Sequence, residues 1–188
     1  MRLTRLTALM LFPWLLLSCS AVPVDHYAGQ TPKLDIMAYF KGDTQAWGQF
    51  QDRSGKVIRR FQVAITGSVS QQDGQRQLTL DERFVYDDGE KQTRVWKITE
   101  TAPFVYTGTA GDVIGQAHGK AAGPALNWAY TLDLPYKDGS IHVQFDDWMF
   151  LQDAHTLINR ATVTKWGFKV GEVTLFFRKS NHAKADSA

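Results

Sequence analysis

The sequence predicts an all-β protein, an antiparallel up-and-down meander of about nine or ten strands that closes into a barrel. Three observations predict it. From about Ile36 to Lys179 the apolar residues recur with period two, the signature of half-buried strands. Turn residues break that pattern at short intervals: Asp52-Arg53-Ser54-Gly55, Asp73-Gly74, Asp88-Gly89, Gly111-Asp112, Gly123-Pro124 and Asp138-Gly139. Asp-Gly pairs suit the positive φ angles of tight hairpins. No segment carries the roughly ten residues of helical period that a parallel crossover needs. A meander of this length closes on itself to remove its two edges, with a two-sheet sandwich as the alternative. The chain has 188 residues, enough for one domain with a sizeable core.

The elements follow in order. Arg2 and Arg5 precede an apolar run from Leu6 to Leu17 that Pro13 interrupts. The run falls short of the roughly 20 residues of a membrane-spanning helix and reads as a signal peptide over residues 1–18. It ends in Leu16-Leu17-Ser18-Cys19, which resembles a bacterial lipobox and implies lipid modification of Cys19. That residue is the only cysteine, so no intramolecular disulfide and no multi-cysteine metal site can form. Several acyl chains on one cysteine anchor a protein firmly, whereas one does so only marginally. In a Gram-negative host, Ser20 after the cysteine implies sorting to the outer membrane, facing the periplasm. Residues 19–34 contain Pro23, Gly29 and Pro32 without helical or strand period and read as a flexible tether. Residues 35–180 form the barrel, and 181–188 are small and polar and should fray. The formal charge of +2 disappears when Arg2 and Arg5 leave with the signal peptide. Nothing in that balance points to nucleic acid.

A short helix fits near Asp35–Phe40. Strands are expected at residues 42–51, 57–71, 75–86, 92–100, 104–110, 113–122, 125–134, 139–151, 156–164 and 169–179. The clearest alternation is Leu126, Trp128, Tyr130, Leu132 and Leu134 against Asn127, Ala129, Thr131 and Asp133. Arg59, Gln62, Lys97 and Asp133 are assigned to outer faces, which argues against a membrane-spanning barrel.

The motifs Asp52-Arg53-Ser54-Gly55, Arg59-Arg60-Phe61, Asp88-Gly89-Glu90, Arg94-Val95-Trp96, Asp146-Asp147-Trp148-Met149 and Lys165-Trp166-Gly167-Phe168 follow the lipobox. In this the chain resembles a family of Gram-negative lipoproteins catalogued as domain of unknown function 3833. The resemblance spans nearly the whole mature chain. It implies a lipocalin-like barrel in the periplasm and a loose association with membrane lipid modification, and no established activity. The lipocalin Gly-x-Trp signature is not matched, since Gly42 is followed only by Trp47-Gly48.

Motifs of common catalysts are missing: no Gly-x-Ser-x-Gly, His-Glu-x-x-His or Gly-x-Gly-x-x-Gly occurs. Gly115-Gln116-Ala117-His118-Gly119-Lys120 lacks the spacing and hydroxyl residue of a phosphate-binding loop. The five histidines are scattered singly. Asp146 and Asp147 point to opposite faces of a strand and cannot act as a dyad. Asp147 shares the parity of Ile141, Val143 and Phe145 and is read as an inward, structural acid or a bulge. No catalytic residue, metal or cofactor is expected.

Three features suggest a ligand. Glu82 and Arg94 carry charge on apolar faces of adjacent strands, which pairing across the Asp88-Gly89 hairpin would reconcile with burial. That pair is either a structural salt bridge or a site where Arg94, joined by Arg60 or Arg160, receives a carboxylate or phosphate. Gly115, Ala117, Gly119, Ala121 and Gly123 share one parity, leaving room for a ligand, for an aromatic such as Trp128, or for a barrel corner. Aromatic residues make up 12% of the chain, and Trp96, Trp128, Tyr130 and Phe145 are the candidate lining. The expected function is therefore the binding of a lipid or other small hydrophobic molecule. The alternatives are a solid barrel serving as an envelope interaction scaffold, and an enzyme acting on lipids through convergent His118, His142 and Asp147. No protein partner is indicated.

Overall fold

The computed structural model describes residues 21–136 and 138–180. The signal peptide expected over residues 1–18, the lipidation expected at Cys19 and the fraying expected over 181–188 lie outside these residues. A 3₁₀ turn, Val24–Tyr27, precedes a five-residue helix α1, Ile36–Phe40. Ten strands follow: β1 Gly42–Asp52, β2 Val57–Gln72, β3 Gln75–Tyr86, β4 Lys91–Ala102, β5 Val105–Thr109, β6 Ala117–Ala122, β7 Ala125–Tyr136, β8 Gly139–Leu151, β9 Thr156–Lys165 and β10 Phe168–Lys179. Each pairs antiparallel with its neighbours in sequence, and β1 pairs with β10 to close the barrel. Closure, not a sandwich, is the solution adopted. Among the described residues no helix is long and apolar enough to cross a membrane.

The strand limits follow the turn signals closely, with one exception. The sixth strand was expected over 113–122 but starts at Ala117. Residues 110–116 instead lie along β7: Ile114 N donates to Thr131 O at 2.9 Å and Asp133 N to Asp112 O at 2.9 Å. Gly115 has φ +69°, a left-handed conformation that glycine adopts without steric cost.

One end of the barrel is plugged. Asp35 caps α1 by accepting from Met37 N at 2.9 Å, a standard N-terminal arrangement. Ile36, Met37, Tyr39 and Phe40 are all buried against the barrel interior. Arg76 ties the cap to the wall, bridging Asp35 at 2.8 Å and Glu100 at 2.6 Å. At the other end of α1, Lys179 Nζ donates to the carbonyls of Ala38, Tyr39 and Lys41. Gly67 allows this closeness, because a Cβ there would sit 1.8 Å from Phe40 O.

The flexible tether expected over 19–34 does not describe residues 24–34. Tyr27 packs edge-on against Trp148 and Phe150, with centroids 6.2 and 5.3 Å away. Lys120 reaches Asp25 at 2.7 Å, Leu34 N donates to Gly123 O at 2.8 Å, and Leu34 is buried. The outward aromatics Trp148 and Phe150 supply an apolar surface that proline and glycine content could not reveal.

Candidate functional site

Inward residues of β1–β4 and β7–β10 leave a cavity of about 880 Å³ between the α1 plug and the opposite mouth. Ile36 and Phe40 of the plug form its floor. Its walls are mainly apolar, including Phe61, Val63, Ile65, Leu80, Phe84, Leu126, Leu132, Val163 and Val173. One side is a run of aromatic contacts. Trp96 meets Trp128 and Tyr130 edge-on at 5.8 and 5.3 Å, and Tyr130 stacks on Phe145 at 5.1 Å. Exposed Trp166 and Phe168 of the β9–β10 turn stand at the mouth end.

Into this apolar space project Glu82, Arg94, Asp112, Tyr130, Asp147 and Asn159. Glu82 and Arg94 are directly opposed in the β3–β4 register, as their parity predicted. Arg94 does not bond to Glu82, however. Its Nε donates to both Asp112 carboxylate oxygens at 3.0 and 3.1 Å, and its Nη2 donates to Oδ2 at 2.6 Å. The loop that replaces the start of the expected sixth strand delivers Asp112 to that place. Burial disfavours the Arg94 charge, but Asp112 and Glu82 outweigh it and hold the guanidinium protonated. Burial pushes Glu82 up to about 7, with Arg94 opposing the rise. Burial likewise pushes Asp147 up to about 7, against hydrogen bonds from Tyr130 and Asn159. Burial also holds Tyr130 well above its ordinary value. Asp147 is only 6% exposed and Asn159 2%. Desolvation dominates both acids, and the opposing pull of Arg94, whose hydrogen bonds go to Asp112, is the smaller effect.

Nearer the mouth, Arg59 stacks over Tyr86 at 3.5 Å and pairs with Asp88 at 2.9 Å and with Glu90. Arg59 was assigned to the outer face. It shares the parity of Phe61, Val63 and Ile65 and lines the cavity instead.

Of the residues predicted for a ligand site, Glu82, Arg94, Trp96, Trp128, Tyr130 and Phe145 all line the cavity. Gly115 and Gly119 do not. Gly115 lies in the exposed loop before β6, and Gly119 lies behind Trp128, where a Cβ would stand 2.2 Å from the indole. The small-residue row therefore accommodates Trp128 and leaves no ligand volume. Arg60 and Arg160 point outward to Asp87 and Glu172. His118 and His142 are exposed, and His142 Nε2 lies 3.4 Å from Asp133, so neither converges with Asp147. Sequence reading placed Asp147 inward without giving it a ligand role, and it missed Asn159 and Asp112. Asn159 shares the parity of Leu157, Ala161 and Val163, which was a usable signal. Asp112 had none, because its position depends on how a loop lies across β7.

Among curated proteins no sequence match is found. Matches among solved structures include the following two. An S-type phycobiliprotein lyase, CPES, from Guillardia theta matches with TM-score 0.54 and 8% identity, covering 77% of this chain and 90% of that one. A de novo designed fluorescence-activating β-barrel matches with TM-score 0.40 and 12% identity, covering 78% of this chain and 99% of that one. The first supports a lipocalin-like barrel and, at that identity, the fold alone. The family described as protein of unknown function, DUF3833, matches residues 13–179, and the chain belongs to that family.

Proposed function

We propose that this protein is a lipid-anchored envelope protein that holds a lipid or other small hydrophobic molecule inside its barrel. Cys19 would carry the anchor, and the barrel would stand at the periplasmic face of a Gram-negative outer membrane. The supporting observation is the interior itself, about 880 Å³ with mainly apolar walls. Ligand cavities run from about 300 to 1,000 Å³ and pair apolar walls with a few placed polar groups. The bore of a barrel widens with strand number, and about eight strands already leave room for one small ligand. Each methylene taken from water contributes about 0.8 kcal/mol. A solid scaffold core does not fit this interior, and the histidines needed for the enzyme alternative stand outside it.

The test is analysis of small molecules extracted from the full chain after purification from membranes, compared with an Ala161→Phe variant. Ala161 is buried on the cavity wall, so phenylalanine fills part of the space. One class of apolar molecule held near one per chain, and depleted in the variant, supports the proposal. A chain that is empty from several growth conditions sinks it. The anchor is tested separately: metabolic labelling with an alkynyl fatty acid should mark the wild type and not Cys19→Ala.

A further inference from the structure

We infer that the cavity selects a hydrophobic molecule carrying a cationic amine, and disfavours an anionic head group; this rests on the cavity-binding reading above. The charge inventory of the wall carries the argument. Among the described residues it holds two arginines, Arg59 and Arg94, against five carboxyl groups. Both arginines are engaged. Arg59 is held by Asp88 and Glu90, and Arg94 gives three hydrogen bonds to Asp112. An anionic ligand at Arg94 would have to displace Asp112 and strand that carboxylate, which is costly in a low-dielectric site. It would also sit against Glu82 and Asp147.

An ammonium group meets the opposite situation. Glu82 faces the cavity opposite Arg94 and accepts no hydrogen bond among the described residues. Asp147, buried across the same space, takes its hydrogen bonds from the neutral groups Tyr130 and Asn159, and Arg94 acts on it only weakly through space. A ligand ammonium adds a second cation beside Arg94, whose hydrogen bonds already go to Asp112, and gives several charge-assisted hydrogen bonds. Trp96, Tyr130 and Phe145 line the same cavity, and aromatic faces attract cations. The hydrocarbon part of the ligand would occupy the apolar walls on either side of this polar group. Both acids titrate near neutrality, so an entering ammonium finds them ready to ionise.

The experiment uses the full chain in nanodiscs of zwitterionic lipid. It is exposed to diazirine probes sharing one hexadecyl tail and ending in a primary amine, a hydroxyl or a carboxylate. Labelling of cavity-lining peptides is read by mass spectrometry near neutral pH. A charge-assisted hydrogen bond in a buried site supports a preference of about tenfold or more for the amine over the carboxylate. Glu82→Gln and Asp147→Asn should each reduce that preference with near-ultraviolet dichroism unchanged. The wild-type comparison stands without the variants if either fails to fold. Equal labelling, or preference for the carboxylate, overturns this inference and leaves a cavity that binds hydrophobes. Absence of cavity labelling by all probes overturns both.

Discussion

Replacing Glu82 by glutamine keeps the shape of the side chain and removes one acid of the cavity wall. In the folded chain this carboxyl has its pKa raised from 4.5 to about 7 by burial. In the unfolded chain it returns to the ordinary value. Between those pH values the native state keeps a proton that the unfolded state has released, so stability falls as pH rises through the window. At about 1.4 kcal/mol per pH unit the total is about 3 kcal/mol, complete just above pH 7. Asp147, raised from 3.8 to about 7, acts in the same direction, and the two titrate as a coupled pair. The acids held below their ordinary range by hydrogen bonds, such as Asp52 and Glu100, work oppositely. Their contribution is present above the unfolded value and is lost only under more acidic conditions. Urea unfolding followed by tryptophan fluorescence between about pH 5 and pH 8 isolates Glu82 and Asp147. Wild type should lose several kcal/mol across that range. Glu82→Gln should lose about 3 kcal/mol less and be the more stable protein at the alkaline end. Parallel curves for the two proteins would mean that Glu82 is not desolvated as described.

The other expectations concern packing. Gly119→Ala places a Cβ 2.2 Å from the Trp128 ring; it should cost about 1–3 kcal/mol and shift tryptophan emission, and a neutral result in thermal unfolding would argue that Trp128 moves freely. Gly67→Ala drives a Cβ to 1.8 Å from the Phe40 carbonyl oxygen and should loosen the plug, read as faster amide exchange in residues 35–40 than in the β7–β8 hairpin. Arg76→Ala leaves Glu100 and Asp35 without their shared cation and should lower stability by about 1–2 kcal/mol, less at high salt; salt-independent unfolding would point away from these ion pairs.

Much of the barrel was legible because its signals are local. Alternation decides which side of a strand faces inward, and Asp-Gly turns decide where it ends. The same rule correctly put Trp96, Trp128, Tyr130 and Phe145 on one lining and set Glu82 opposite Arg94. Applied consistently it would also have turned Arg59 inward. It could not tell whether the small-residue row beside β5 left space for a ligand, because that depends on the Trp128 indole filling it from the adjacent strand.

The amino-acid order by itself determined the strand sequence and the presence of charge on an inward face, while the structure decided for the closed barrel over the sandwich. What only the tertiary structure decided is which charges remain uncommitted. Asp112 reaches Arg94 from a loop laid along β7, and Asp147 approaches from the far wall, both across distances that no periodicity encodes. Pairing of charges is a matter of ångströms in a low-dielectric space. The arginine that looked like the binding group is thereby occupied, and the acids opposite it are left to set the character of the cavity.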